Sequence, residues 1–255
     1  MTVHFVGAGP GAADLITVRA QRLLAATDLC LYPGTYIDRA VLDHCAPGTQ
    51  LVDTQDLDLP TIIETLVDAH RQGMDVVRLT SGDPSLYSAL HEQTRRLDAA
   101  QVSWDVVPGV PAYAAAAARI GAELTVPEVA QSVVLTRTQA RSTVMPAGEK
   151  LAAFASTGST LVLHLAITRT RELVAELSEF YPPQTPVVVV FRASQPSELV
   201  LRGTLSDIAD QVEAAGLRQA AVIILGPALA ASGGGESFLY DAARDRSSKR
   251  PDRTS

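Results

Sequence analysis

The chain is short of basic residues, of cysteine and of long apolar runs, and each shortage closes off a class of protein. Lys and Arg number 21 against 28 Asp and Glu, a net charge of −7. A surface built to hold nucleic acid carries a basic excess, so nucleic acid is not an expected partner. Two cysteines, Cys30 and Cys45, cannot staple 255 residues, so a reducing cytoplasm is the expected location. No apolar run reaches the ~18 residues needed to cross a bilayer, and no membrane partner is expected. The opening Met1-Thr2-Val3-His4-Phe5 has no basic stretch and runs straight into a strand pattern, so no signal peptide is read. Charged residues make up 19% and hydrophobic residues 47%. That balance is not that of a disordered chain, and it fills one large core or two smaller ones.

Metal and nucleophile signatures are also thin. None of His4, His44, His70, His91 and His164 pairs at i, i+4 with another ligand, and His44-Cys45 is an isolated neighbour pair. No metal site is expected. No G-x-S-x-G elbow is present. His164 lies in an apolar run and reads as a hydrogen-bonded core histidine rather than a catalytic base.

What is there is an alternation of short apolar runs and amphipathic stretches. Residues 3–6, 29–32, 51–52, 76–79 and 102–107 read as strands. Helical spacing covers 15–26, 61–72, with Gly73 as its stop, and 85–99. Pro127 and polar spacing mark 121–130 as a linker. A second alternation follows: strands at 133–136, 160–165, 186–191 and 220–225, a hairpin partner at 199–203, and helices at 149–156, 169–180 and 206–215. The expectation is an α/β protein of two α/β domains with mixed, mostly parallel sheets, residues 1–120 and 131–231, and a tail from 232 to 255 that is frayed or disordered.

Three loops stand out, each at a strand end. Gly7-Ala8-Gly9-Pro10-Gly11-Ala12 loosely fits the dinucleotide pattern G-x-G-x-x-G/A. Against a nicotinamide reading, Pro10 removes an N–H, and the acid expected at the end of the second strand is missing; Asp28 lies at its start instead. A plain tight turn remains open for this loop. In Ser81-Gly82-Asp83-Pro84-Ser85, Asp83 reads either as the N-cap of a helix with Pro84 at its first position or as part of a pocket at the carboxyl edge of the sheet. Pro108-Gly109-Val110-Pro111-Ala112 leads into a helix that is nearly all alanine, which suits close packing on the sheet or on a partner subunit.

In this order the three loops resemble the tetrapyrrole methyltransferase superfamily, along a stretch from Val3 to about Leu229 that includes Asp14-Leu15 and Gly203-Thr204-Leu205. Within it, Leu31-Tyr32-Pro33-Gly34-Thr35, residues 81–87 (SGDPSLY), Leu135-Thr136-Arg137-Thr138 and Arg192-Ala193-Ser194-Gln195-Pro196 are similar to the members that methylate C-11 of precorrin-4 in cobalamin biosynthesis. Ser81 departs from a glycine common in the superfamily. The resemblance implies a homodimer and S-adenosylmethionine as methyl donor, leaving S-adenosylhomocysteine, bound in a cleft between the two domains. It implies cofactor contacts at Pro10, Ser81, Gly82, Asp83, Leu86, Pro111, Ala112, Leu165, Ala193 and Ala221. It turns Gly7, Gly9 and Gly11 toward a tetrapyrrole substrate. The resemblance leaves open cobalt-precorrin-4, another ring position, and a binding module without turnover. No general base is identified.

An acidic chain that holds a polycarboxylate needs local cations. Arg137 and Arg141 follow the first strand of the second domain and are the candidates, because a guanidinium pairs a carboxylate through two hydrogen bonds. The alternative is that both are ordinary solvated charges.

Overall fold

A computed structural model of the chain describes residues 1–138 and 144–231, together with Arg244. The chain divides into two compact units. One comprises Met1–Gly121, Val189–Leu201 and Leu217–Val222; the other comprises Ala122–Val188, Arg202–Gly216 and Ile223–Ser255.

The first unit is built on five strands, β1 (Val3–Gly7), β2 (Leu29–Tyr32), β3 (Gln50–Asp53), β4 (Val76–Thr80) and β5 (Trp104–Val107). They lie in the order β3-β2-β4-β1-β5, and every pairing is parallel. The short valine- and leucine-rich runs suit a sheet covered on both faces, where strands lose the polar alternation of a half-exposed sheet. Period-two geometry then sends alternate residues into two cores. Val3, Phe5, Leu29, Leu31 and Val76 pack with Ile62 and Leu66 of α2 (Leu59–Arg71) and Leu97 of α3 (Leu90–Ala99). Val6, Cys30, Val77 and Leu79 pack on the other face with Ala20 and Leu24 of α1 (Val18–Leu24). Helix α2 starts where the Asp58 carboxylate accepts the Thr61 N–H at 2.9 Å, and Gly73 at φ +75° ends it. Helix α4 (Ala112–Ile120) ends on Gly121 at φ +67°.

The second sheet has the order β6-β7-β10-β8-β9, from β6 (Val133–Arg137), β7 (Thr160–His164), β8 (Pro186–Phe191), β9 (Leu199–Thr204) and β10 (Ala221–Leu225). Strands β6 and β7 are parallel and β10 runs antiparallel to β7, which makes the sheet mixed. Helices α5 (Leu151–Ala155), α6 (Thr170–Leu177) and α7 (Ile208–Ala214) contribute buried Leu151, Leu173, Leu177, Ile208 and Val212. The Tyr181 hydroxyl donates to the Ser159 carbonyl at 2.7 Å, and burial pushes the phenol up to about 12.

The expected elements are present, with most helices shorter than expected and α2 starting two residues earlier. The helix expected over 15–26 is a 3-10 turn at Ala13–Leu15 followed by α1, and a further 3-10 segment, Arg39–His44, has no counterpart in the sequence reading. The helix expected from residue 85 begins only at Leu90. Residues 84–89 form an irregular turn in which Tyr87 and Ala89 hold φ of +53° and +56°. Asp83 is therefore not the N-cap of α3; its carboxylate is engaged elsewhere, as described below. The tail positions 232–243 and 245–255 lie outside the described residues.

Candidate functional site

Parallel pairing of β1 with β4 and β5 brings the ends of these three strands to one sheet edge. The three special loops meet there backbone to backbone. Gly9 and Gly82 exchange two hydrogen bonds, Gly82 N to Gly9 O at 2.8 Å and Gly9 N to Gly82 O at 3.2 Å. A Cβ on Gly7 would stand 2.5 Å from the Gly109 nitrogen and 2.7 Å from the Gly82 oxygen. Every neighbour in that contact is backbone, so no side chain could move aside.

Asp83 ties the second loop to the third. One carboxylate oxygen accepts the Ser85 N–H at 2.8 Å and the Ser85 hydroxyl; the other accepts the Gly109 N–H at 2.8 Å. Burial alone would raise the Asp83 pKa. The hydrogen bonds from Ser85 and Gly109 outweigh it and hold the group below the ordinary aspartate value.

A fourth segment, unmarked by glycine, closes the cluster. The Ser194 hydroxyl accepts the Ala12 N–H at 3.0 Å, and the Gln195 carboxamide donates to the Pro10 carbonyl at 3.2 Å. A side chain at Gly11 would collide with Gln195. Arg192 and Ser194 are left-handed, at φ +46° and +67°. Glu198 steadies them: its carboxylate accepts the Ser194 N–H at 2.7 Å and pairs with Arg119 of α4. Burial would raise the Glu198 pKa, but these contacts hold it below its ordinary value. The Arg192 N–H donates to the Ala220 carbonyl at 2.8 Å, which joins the segments carrying Ala193 and Ala221.

The structure thus brings Gly7, Gly9, Pro10, Gly11, Ser81, Gly82, Asp83, Leu86, Pro111, Ala112, Ala193 and Ala221 into one compact unit. Leu165 and Arg137 belong to the other. Leu165 follows β7 at φ +53° and is 61% exposed. Arg137 ends β6, half-buried, in register with His164, whose pKa is lowered by burial. Arg141 lies outside the described residues. Glu198 and Arg119 were missed by sequence reasoning, because nothing local marks a pair 79 residues apart.

Helix α4 begins with no side-chain cap. The place a Gly82 Cβ would occupy looks onto the Ala112 nitrogen at 3.6 Å and the Pro111 Cα at 3.7 Å. The edge therefore offers small side chains and a helix start without a side-chain cap, a surface for a polar small molecule. Sheet order argues against a dinucleotide. Strand β2 is not a neighbour of β1, and Asp28 sits before β2, where its carboxylate holds the Asp75 N–H at 2.9 Å. An acid there is at the wrong end of the strands to meet a ribose at the glycine loop. Among the described residues no group of three or more His, Cys, Asp or Glu could hold a metal, and no helix is long and apolar enough to cross a membrane.

Residues 2–209 match the family model of tetrapyrrole (corrin/porphyrin) methylases. A precorrin-4 C(11)-methyltransferase of Rhodococcus erythropolis is 53% identical over 246 residues, which cover 96% of this chain and 99% of the relative. A solved cobalt precorrin-4 methyltransferase of cobalamin biosynthesis superposes with a TM-score of 0.86 at 38% identity, covering 89% of this chain and 95% of that one. The uroporphyrin-III C-methyltransferase of Thermus thermophilus, solved in complex with S-adenosylhomocysteine, gives a TM-score of 0.76 at 30% identity, covering 90% and 99%.

Proposed function

The chain belongs to the tetrapyrrole (corrin/porphyrin) methylase family, and we propose that it transfers the methyl group of S-adenosylmethionine to C-11 of precorrin-4, giving precorrin-5 and S-adenosylhomocysteine. The observation that carries the reading is the locked meeting of three strand-end loops, with Asp83 bonded to Gly109 across two of them. The substrate and ring position rest on the relative that is 53% identical over nearly its whole length.

The residues at the sheet edge fit the donor. Ala112 and Ala193 are the small side chains this reading sets beside the adenosine, and the start of α4, which has no side-chain cap, is the end it turns toward the anionic amino-acid group. When bound, the donor supplies an electrophilic methyl on a sulfonium that leaves as a neutral thioether. The protein has no need of a nucleophile of its own. Its work is to hold the electron-rich ring carbon in line with that methyl, and alignment of this kind is worth several kcal/mol, up to ~7–11 in the best intramolecular systems. Asp83 serves by fixing loop geometry, since both of its oxygens are already occupied by protein donors. The glycine-loop backbone is what this unit offers to the macrocycle, since the Cβ positions of Gly7 and Gly11 are taken up by Gly109 and Gln195, and Arg137 of the other unit is assigned to a carboxylate of the macrocycle. The reading carries with it a homodimer in a reducing cytoplasm, expectations that rest on the family likeness and on the two free thiols.

The solved relative that acts on cobalt precorrin-4 makes the metal-containing ring the second reading. One experiment separates them. The protein is incubated with labelled S-adenosylmethionine and either precorrin-4 or its cobalt complex, and the methyl is located by NMR. Label at C-11 of the metal-free ring supports the first reading. Turnover of the cobalt complex alone supports the second, label at another carbon overturns the regiochemistry, and no transfer to either overturns the assignment.

A further inference from the structure

Arg78 is a cation in a place where cations seldom survive. It stands on β4, 7% exposed, and burial pushes the guanidinium down to about 10. Its partners are neutral: Thr54 Oγ1 at 3.1 Å, the Leu79 carbonyl at 3.3 Å and the Gln93 carboxamide oxygen at 3.3 Å. Among the described residues no carboxylate forms an ion pair with it. A buried charge without a counter-charge is costly, so its retention calls for a role.

The role follows from the Gln93 carboxamide. Gln93 is 2% exposed, and its NH2 group donates to the carbonyls of Ser88 at 3.4 Å and Ala89 at 3.2 Å. A guanidinium has only donors, so the carboxamide oxygen must face Arg78 and the nitrogen must face the two carbonyls. A neutral residue at 78 that could both donate and accept would tolerate the flipped amide, with its oxygen against those carbonyls. The carbonyls close the irregular turn 84–89, whose Tyr87 and Ala89 hold left-handed conformations that a Cβ disfavours. Helix α3, which the turn feeds, has no side-chain cap to hold it. Asp83 pins the start of the turn through Ser85, and Gln93 pins its end. Leu86 lies between the two pins.

We propose that Arg78 and Gln93 are positioning residues for the methyl donor: the buried guanidinium aims the Gln93 carboxamide, which holds the 84–89 turn in its left-handed form and so sets Leu86, pinned on its other side by the Asp83–Ser85 contact, against the donor. This rests on the S-adenosylmethionine reading of the same loops.

The test compares wild type with Gln93→Glu, which is isosteric. The carboxylate gains an ion pair with Arg78 but turns a second oxygen against the Ser88 and Ala89 carbonyls. Stability and positioning therefore move apart. The melting temperature should hold or rise, while KM for S-adenosylmethionine rises about tenfold and kcat stays within about twofold. The Kd for S-adenosylhomocysteine, read by calorimetry, should move with KM. A variant that folds like wild type and binds the product like wild type overturns the proposal. Should Gln93→Glu fail to fold, Gln93→Met with and without Ala89→Gly takes its place. Glycine adopts the left-handed conformation freely, so the double variant should recover binding to within about threefold of wild type. A folded double variant that recovers nothing also overturns the proposal. Wild type that fails to bind S-adenosylhomocysteine removes the donor reading instead, and is thus a separate outcome.

Discussion

Replacing Asp83 by asparagine leaves the shape of the side chain and turns one acceptor into a donor. Two backbone N–H groups, those of Ser85 and Gly109, converge on the carboxylate at 2.8 Å each. Asparagine has a single carbonyl oxygen. With that oxygen toward Gly109, the NH2 meets the Ser85 N–H; flipped, it meets the Gly109 N–H. Either way one backbone donor is lost and donor faces donor. A hydrogen bond to a charged group contributes about 1.5–3 kcal/mol. Asp83 is half-exposed, so water recovers part of this, and a net loss of about 1–2 kcal/mol is expected. If the second and third loops must be tied for the donor to bind, S-adenosylhomocysteine affinity should fall roughly 5- to 30-fold. Isothermal calorimetry reads that change, and a melt reads stability alongside. Because α3 begins at Leu90, no helix-cap loss is mixed into the result. A variant that melts lower yet binds the product with unchanged affinity would refute the reasoning, since Asp83 would then staple the loops without shaping the site.

Gly109→Ala should be worse than its size suggests. The added methyl would collide with the Gly82 carbonyl and stand 2.8 Å from the Gly7 Cα, all backbone, so a loss beyond the ~1–3 kcal/mol of ordinary overpacking should show as a depressed melting temperature together with lost product binding. Arg137→Ala should raise the macrocycle KM about 10- to 100-fold, leave product binding intact and blunt the salt dependence of substrate binding, whereas Arg137→Lys recovers only part; steady-state kinetics at low and high salt check both. Alkaline stability should report Tyr181. Its folded pKa of about 12 lies above the unfolded value of about 10, so the folded state holds the proton longer, and stability present below pH ~10 is lost as pH rises through ~12, by about 2–3 kcal/mol. Urea melts between those pH values should show stability falling more steeply with pH in wild type than in Tyr181→Phe, the difference being the part that Tyr181 contributes.

Much of this architecture is legible in the sequence because it is written in local runs. Val76-Val77 and Leu161-Val162-Leu163 read as buried strands, and the glycine loops punctuate them. What the sequence concealed is non-local. Asp83-Pro84 carries the signature of a helix start, yet the carboxylate is claimed by an N–H 26 residues away, and the helix waits until Leu90. Gly7 looks like a ligand loop, while its smallness is demanded by Gly109. Gln93 looks like one more polar residue on an amphipathic helix; only the fold shows it 2% exposed beneath a buried arginine. The Ser194 turn was legible by likeness, and its anchor Glu198 was not, because Arg119 comes to it from another element.

The order of β3-β2-β4-β1-β5 also has a consequence for synthesis on the ribosome. The first strand made is an interior strand, and both its neighbours are made later. It can pair with β4 only after Val76 has emerged and with β5 only after Trp104. Its glycine loop waits longer still, because the Ser194 hydroxyl that fixes Ala12 arrives 182 residues afterwards. At ~5–20 residues per second that is an interval of roughly ten to forty seconds. The loop-bearing edge of this sheet is therefore among the last parts of the unit to set, and a nascent chain stalled before residue 190 carries the sheet without a finished first loop.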